Sequence, residues 1–222
     1  STAARRLARE LGVDFLDTGA MYRAVAAMAI DQGIDTADYD ATADLAETLH
    51  LRFDWKTDPP RLVVDARDMT PRLRDADTTQ AVSDVASNSR VRQMLVRAQR
   101  WIGAEHPALV TEGRDQGSVV FPDAAVKFFL DASPEERARR RADQLGESGK
   151  EDVDEQEILR QILYRDERDR SRSDGPLICP DGAQVVDSSD MSIDQVVQAM
   201  YDHVLAVLDA EARENEQSLA AL

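Results

Sequence analysis

The stretch Val13-Asp-Phe-Leu-Asp-Thr-Gly-Ala20 decides the fold of this 222-residue chain. Its first part is a short apolar run, which is typical of a strand buried inside a parallel sheet. The residues before it, from Ser1 to Leu11, have a helical pattern that ends at Gly12, the place of a C-cap glycine. A second helical segment follows Thr18-Gly19. This alternation of helix, strand and helix predicts an α/β fold.

Three more apolar runs of strand length follow, separated by helix-length segments. They are Ala108–Thr111, Ala125–Leu130 and Gln184–Val186. The region from about 40 to 80 differs, because a turn at Thr57-Asp-Pro-Pro60 separates two strand-like runs, Leu51–Trp55 and Arg61–Asp65. We therefore expect a three-layer parallel sheet with flanking helices and a small insert of antiparallel strands.

The helical segments of the second half are marked by apolar spacing and by capping residues. The spacing predicts a helix from about Thr79 to Gly103. Ser133-Pro-Glu-Glu136 and Ser192-Ile-Asp-Gln195 each place a hydroxyl at the N-cap position and an acidic or amide side chain three residues later. The residues from 210 to 222 are polar and lack an apolar stripe, so we expect a disordered tail there.

Composition excludes several classes of protein. A net charge of -16 argues against nucleic acid and anionic membranes as partners. No apolar run approaches the length of a membrane span. The single Cys179 fits a reducing, cytoplasmic location, and we expect it to be a small buried side chain. Of the 27 basic residues only three are lysines and 24 are arginines, which indicates either a GC-rich genome or a phosphate site built from arginines.

Two loops follow strands and carry an acidic residue, a glycine and an arginine. Asp17-Thr-Gly-Ala-Met-Tyr-Arg23 follows the first strand, and Glu112-Gly-Arg-Asp115 follows the strand at Ala108–Thr111. Ligands collect at the carboxyl ends of parallel strands, so these loops are candidate anion-binding elements. Taken alone, Thr18 could equally be a helix N-cap and Arg23 an ordinary surface residue.

An arginine-rich arm is the third candidate. Arg137, Arg139, Arg140 and Arg141 begin one helix, an acidic connector with glycines follows, and the next helix carries Arg165-Asp-Glu-Arg-Asp-Arg-Ser-Arg172. Arg165, Asp169 and Arg172 are spaced four and three residues apart and share one helical face. The arm is either a lid that closes over a ligand or a pair of solvated helices with ion pairs along them.

These strings together resemble the bacterial cytidylate kinases, a family of P-loop nucleoside monophosphate kinases. The resemblance covers Ser1 to about Leu208 and includes three further strings: Gly117-Ser-Val-Val-Phe-Pro-Asp-Ala124, Phe129-Leu-Asp-Ala-Ser133 and Glu136-Arg137. It implies transfer of the γ-phosphoryl group of ATP to CMP or dCMP, with Mg²⁺ present. It also implies a division into core (1–36, 81–141 and 173–209), a nucleotide-binding insert (37–80), a lid arm (142–172) and a tail (210–222).

The resemblance assigns roles residue by residue. Substrate contacts to CMP are implied for Thr18, Arg23, Ser83, Arg92, Arg114, Asp115 and Asp169. Catalytic roles are implied for Arg141, Arg165 and Arg172, and Asp17 is a candidate for holding a metal-bound water, or else a capping aspartate. Contacts to ATP are implied for Ser1, Thr2, Arg137 and Arg140, with Ser1 as the Mg²⁺ ligand. Cytosine presents an amine that suits Asp115 and acceptors that suit Arg92 and Ser83.

The chain departs from the family at its start. The P-loop pattern G-x-x-x-x-G-K-[ST] is represented only by its last position, at Ser1-Thr2. We expect a central strand and the phosphate loop to lie upstream, and we expect residues 1–222 alone to bind ATP poorly. Two alternatives stay open, a CMP-binding protein without activity and another small-molecule kinase of the same fold. Nothing in the sequence demands more than a monomer.

Overall fold

The computed structural model describes residues 1–147 and 154–220. Eight α-helices occur in these ranges. They are α1 (Thr2–Leu11), α2 (Thr18–Asp31), α3 (Tyr39–Thr48), α4 (Ala76–Ser87), α5 (Ser89–Glu105), α6 (Pro134–Glu147), α7 (Glu155–Ser171) and α8 (Ile193–Ala220). The strands are β1 (Asp14–Asp17), β2 (Leu51–Asp54), β3 (Arg61–Val64), β4 (Arg67–Asp68), β5 (Leu109–Glu112), β6 (Phe128–Asp131) and β7 (Gln184–Asp187). Most of the connector predicted between the two arginine helices, residues 148–153, lies outside the described ranges.

The parallel strands form two pairs. β1 pairs with β5 in parallel, with Asp17 opposite Glu112, and β6 pairs with β7 in parallel. A cleft of about 1700 Å³ is lined by β5 on one side and β6 on the other. The predicted α/β architecture with parallel strands and flanking helices is confirmed, while the expectation of a further central strand stays a prediction.

Helices α1 and α8 cover one face of both pairs. Leu7 from α1 and Met200 from α8 pack with Val186 of β7, and Val110 of β5 and Phe128 of β6 lie against the same cluster. Helix α1 ends where the sequence predicts, because Gly12 has a φ of 68° and its N–H caps the helix. This apolar layer therefore joins the two pairs of strands into one body.

On the opposite side of β1, the core is built from α2 to α5. Leu16 of β1 packs with Met21, Val25, Val85 and Leu95, which are all fully buried. The predicted insert is confirmed as an antiparallel sheet in the order β2-β3-β4, and Leu62 and Val64 pack against the alanines of α2. The insert therefore packs against α2, the helix that carries Arg23 and begins directly after β1.

Three sequence expectations differ from the structure. The helix predicted from about Thr79 to Gly103 is two helices, broken at Asn88, whose side-chain oxygen accepts hydrogen bonds from the N–H groups of Arg90 and Val91. Cys179 is exposed rather than buried, because it lies in the irregular segment before β7. The expected disordered tail is helical as far as Ala220, since its alanines and glutamates favour helix without any apolar stripe.

Asn88 generates a prediction about stability. Its side chain is buried, caps α5 and also donates a 2.7 Å hydrogen bond to the carbonyl of Tyr39. Replacing Asn88 by Ala removes both the cap and this second, buried hydrogen bond, so we expect the free energy of unfolding to fall by about 2 kcal/mol. Urea denaturation measures this loss.

The matched control is Asp38→Ala, which removes the exposed cap of α3, a single hydrogen bond to the N–H of Ala41. We expect about 0.5–1 kcal/mol there. Equal losses for the two variants would contradict the structural role given to the Tyr39 contact.

Candidate active site

The site begins where β1 and β5 end side by side. Asp17 is the N-cap of α2 and accepts a 3.0 Å hydrogen bond from the N–H of Ala20. Burial raises the pKa of the Asp17 carboxyl, and the negative charge of nearby Glu112 adds to this shift. The capping interpretation of Asp17 is therefore confirmed as its structural role, and its predicted metal-bound water stays a prediction.

Thr18 is buried and ties α2 to the second loop. Its hydroxyl donates a 2.6 Å hydrogen bond to the carbonyl oxygen of Glu112 and accepts one of 3.4 Å from Nε2 of Gln116. The alternative interpretation of Thr18 as the N-cap is wrong, because Asp17 fills that position. The hydroxyl proton of Thr18 is used inside the protein, so this residue holds the two loops together at the strand ends.

A buried ion pair forms the wall of the site. Arg92 of α5 and Asp115, three residues beyond β5, form an ion pair in which the side chains are only 4% and 6% exposed. Arg92 also donates a 3.2 Å hydrogen bond to the carbonyl of Ala86, and its guanidinium lies 5.7 Å from the ring centre of Tyr22. Two residues that the sequence singled out separately therefore meet as one group with donors and acceptors.

Gly175 packs directly against both side chains of this ion pair. It has a φ of 57°, and a Cβ atom at this position would clash with both Arg92 and Asp115. Arg172 lies beside it and donates a 2.6 Å hydrogen bond from Nε to the Gly175 carbonyl. Nη2 of Arg172 is buried and has no hydrogen-bond partner among the described residues. An unpaired buried donor is unfavourable, so this atom marks a place for a ligand acceptor.

Asp169 gathers arginines from two elements. Its carboxylate accepts a hydrogen bond of 2.8 Å from Arg114 and lies 3.4 Å from Arg172 and 3.9 Å from Arg165. The predicted common face of Arg165, Asp169 and Arg172 on α7 is confirmed by these contacts. Burial and the charge of nearby Arg114 lower the pKa of Arg165 to about 10. The cluster therefore carries more positive charge than Asp169 neutralises.

Arg23 and Arg141 extend the same positive field. Arg23 lies 4.0 Å from Asp17, and its charge lowers the pKa of Arg165. Burial lowers the pKa of Arg141, and the charges of Arg74 and Arg23 lower it further. The lid arginine predicted for the transferred group thus faces two other cations.

Arg137 and Arg140, the arginines of α6 for which ATP contacts are implied, bind the protein itself. Arg137 forms a 2.6 Å ion pair with Asp166 of α7 and donates to the carbonyl of Ala132. Arg140 donates hydrogen bonds to the carbonyls of Ser188 and Met191. Their guanidinium groups hold α6 against α7 and against the segment after β7, instead of standing free for ATP.

Sequence analysis missed two polar groups next to the site. Gln99 is fully buried on α5, and its Oε1 accepts a 3.1 Å hydrogen bond from Gln116, the residue that also contacts Thr18. A signal existed, since Gln99 lies between Leu95 and Ile102 at the spacing of the buried helix face. Arg74 in the insert is the second, and its sequence surroundings gave no signal.

The described residues do not form a complete ATP or Mg²⁺ site. Residues 1–222 contain no glycine-rich loop with its lysine. The Asp17 carboxylate already accepts the capping hydrogen bond from the N–H of Ala20. No cluster of three or more His, Cys, Asp or Glu side chains suited to a metal occurs within 1–147 and 154–220. The described residues therefore supply only part of a site for the two groups, and Ser1 and Thr2 stay predicted contacts.

This combination of parallel strands, an antiparallel insert and a helical arm, with arginines at the strand ends, defines a nucleoside monophosphate kinase. The family model for cytidylate kinase matches residues 1–205. The cytidylate kinase of Vibrio vulnificus strain YJ016 is 44% identical over 198 residues, which cover 89% of this chain and 87% of the relative. That of Photobacterium profundum is 42% identical over 206 residues, covering 93% and 90%. The chain belongs to the cytidylate kinase family.

The family resemblance predicted from sequence is thereby confirmed. The function that follows is transfer of the γ-phosphoryl group of ATP to CMP or dCMP. Among the described helices, none is both long and apolar enough to cross a membrane.

Arg165 generates a prediction that separates binding from stability. Its lowered pKa means that the charged form is disfavoured in the folded protein. This cost is fully present below about pH 10 and falls progressively as the pH rises from that value toward the ordinary pKa of arginine. Replacing Arg165 by Met removes this repulsion. We expect an unchanged or slightly higher free energy of unfolding, by at most about 1 kcal/mol because the side chain is one-third exposed, together with at least about tenfold weaker CMP binding.

Thermal unfolding and titration calorimetry measure the two quantities. Arg160→Met on the same helix is the control, because Arg160 is exposed and pairs with Glu157. It is expected to leave CMP binding unchanged. A large loss of stability in Arg165→Met, with CMP affinity retained, would show that the arginine is structural.

Proposed function

We propose that CMP binds with its base against the Arg92–Asp115 pair and its phosphate in the arginine cluster around Asp169. The observation that carries this proposal is the buried pair with the unpaired Nη2 of Arg172 beside it. A buried ion pair with unused hydrogen-bonding capacity is costly unless a ligand completes it. Cytosine, with an amine donor next to a ring nitrogen and a carbonyl, has the complementary pattern.

The base contacts divide among three side chains. Asp115 accepts from the exocyclic amine, and Arg92 donates to the ring nitrogen or carbonyl. Ser83 lies on α4, half-buried, and supplies a further hydroxyl donor. The family resemblance implies a catalytic role for Arg172. Its position beside Gly175 and the Arg92–Asp115 pair favours a place between base and phosphate, with its free donor toward the base.

The phosphate contacts come from the arginines whose positive charge is not fully neutralised by neighbouring carboxylates. Arg23, Arg114 and Arg165 surround the position of a phosphate, and Asp169 accepts from a ribose hydroxyl. A phosphate dianion restores the charge balance and raises the lowered pKa of Arg165 again. Arg141 approaches the transferred group from the arm, since it already shares the field of Arg23. Phosphoryl transfer depends on such positioning and charge neutralisation rather than on a general base.

The contacts proposed for ATP lie at the start of α1. Ser1 and Thr2 begin α1 near the carboxyl end of β5, which suits contacts to an anion. We assign Arg137 and Arg140 to holding the arm instead of to ATP, because their guanidinium groups bind protein acceptors. Mg²⁺ accompanies ATP in this proposal, as membership of the kinase family implies.

We also propose that the enzyme acts as a cytoplasmic monomer. Nothing in the sequence demands more than a monomer, and the use of a single cysteine suits a reducing compartment. Sedimentation velocity tests the oligomeric state. A dimer at micromolar concentration would contradict it.

The proposed base recognition is tested by Asp115→Asn. This change keeps the shape of the side chain but removes the negative charge and one acceptor, so we expect the preference for CMP over UMP to fall by at least about tenfold. Titration calorimetry with each nucleotide measures the preference without requiring turnover.

The control is Asp123→Asn, an exposed carboxylate further along the same connection between β5 and β6. It is expected to leave both affinities unchanged. An unaltered CMP preference in Asp115→Asn would show that the base is read elsewhere.

A further inference from the structure

Arg168 differs from its neighbours on α7, because its guanidinium contacts α4 instead of Asp169. Nη1 donates a 2.9 Å hydrogen bond to Oδ1 of Asp84, and Nη2 lies 3.4 Å from Oγ of Ser87. Its Cζ atom also lies 5.9 Å from the ring centre of Tyr164 on the same helix. Arg168 makes the side-chain hydrogen bonds that join α7 to α4 within the described ranges.

The two acceptors on α4 both follow Ser83 within one helical turn. Asp84 is the next residue along the helix, and Ser87 lies one turn further on the same face as Ser83. The hydroxyl of Ser87 donates a 2.9 Å hydrogen bond to the carbonyl oxygen of Ser83. Arg168 is therefore connected to the backbone of Ser83 through Ser87 and holds the neighbouring position through Asp84.

On its own helix, Arg168 lies among the residues of the phosphate cluster. It directly precedes Asp169, follows Arg165 by three positions and precedes Arg172 by four. A displacement of α7 from α4 at Arg168 would therefore carry this whole face away from Ser83. In the proposed binding of CMP, Ser83 and the Asp169 face contact the nucleotide from two elements, so their separation depends on where Arg168 is held.

We propose that Arg168 and Asp84 form a positioning pair that sets the width of the cleft between Ser83 and the Asp169 face, and thereby the selectivity for a pyrimidine nucleotide over a purine nucleotide. The inference rests on the proposed function of this cleft. Neither residue is expected to touch the substrate.

The burial of the pair indicates an effect on binding more than on stability. The side chains of Arg168 and Asp84 are 28% and 33% exposed, and partly exposed ion pairs contribute little to folding. A pair that fixes two binding elements in the bound arrangement instead reduces the ordering that the ligand must cause. Cytosine is a small base, so widening the cleft breaks its contacts first. The larger purine base can still reach both sides of the wider cleft.

The test is calorimetric binding of CMP and AMP to the full chain and to Asp84→Asn, Arg168→Gln and the double variant. For each variant we expect CMP to bind roughly five- to tenfold more weakly than to the wild type, and AMP to bind within about twofold of the wild type. The double variant is expected to bind CMP no more weakly than either single variant. Glu157→Gln is the matched control, since it breaks the exposed pair with Arg160 on the same helix. Thermal unfolding of every variant accompanies the titrations.

The outcomes separate the two proposals. Reduced discrimination between CMP and AMP at an unchanged melting temperature supports the positioning pair. CMP binding by the wild type together with unaltered discrimination in the variants overturns the pair alone, as does a lower melting temperature with unaltered discrimination. Absence of CMP binding by the wild type overturns the proposed function and the pair with it.

Discussion

The ion pair between Arg92 and Asp115 is the interaction on which the site depends. Two charges at this depth are unfavourable unless they satisfy each other and find further hydrogen bonds. Arg92 comes from a helix, Asp115 from the loop after β5, and Gly175 from the segment after the arm covers them both. Three distant parts of the chain must therefore be in place before either charge is tolerated, so correct folding and formation of the base pocket are one event.

The arginine cluster has the opposite balance. Asp169 is shared by Arg114, Arg165 and Arg172, and burial together with the positive charge of Arg114 lowers the pKa of Arg165. The free protein bears this repulsion, and an anionic ligand removes it. The net charge of -16 does not cancel the local field, because charges beyond about 8–10 Å are screened by salt. An acidic protein can therefore hold a strongly cationic cleft.

The parts of the fold that the sequence predicted well depend on local chemistry. The end of α1 at Gly12, the antiparallel insert and the cap of α6 follow from residues close together in the chain, and the structure has each of them. The shared face on α7 follows from helical spacing in the same way. The family resemblance named Arg92 and Asp115 as contacts to cytosine, but it did not predict their ion pair, since neither residue alone indicates a partner 23 positions away.

What the sequence did not reveal depends on tertiary contacts. The break at Asn88 is favoured by its hydrogen bond to Tyr39, 49 residues earlier. The difference among the arm arginines is of the same kind. Arg137 and Arg141 lie four residues apart on one helix, yet Arg137 finds Asp166 while Arg141 faces the cations Arg74 and Arg23.

This difference between the arginines of α6 bears on how the arm binds an anion. If every arginine of α6 were neutralised by a protein carboxylate, none of them would gain from binding a phosphate. Here Arg137 and Arg140 fix the base of α6 to the body of the protein, and Arg141 is held in a field that repels it. Burial and these two charges disfavour the cationic form of Arg141, and an anion in the cleft offsets that cost. In the proposed function, Arg141 is therefore the arginine of α6 assigned to the transferred phosphoryl group.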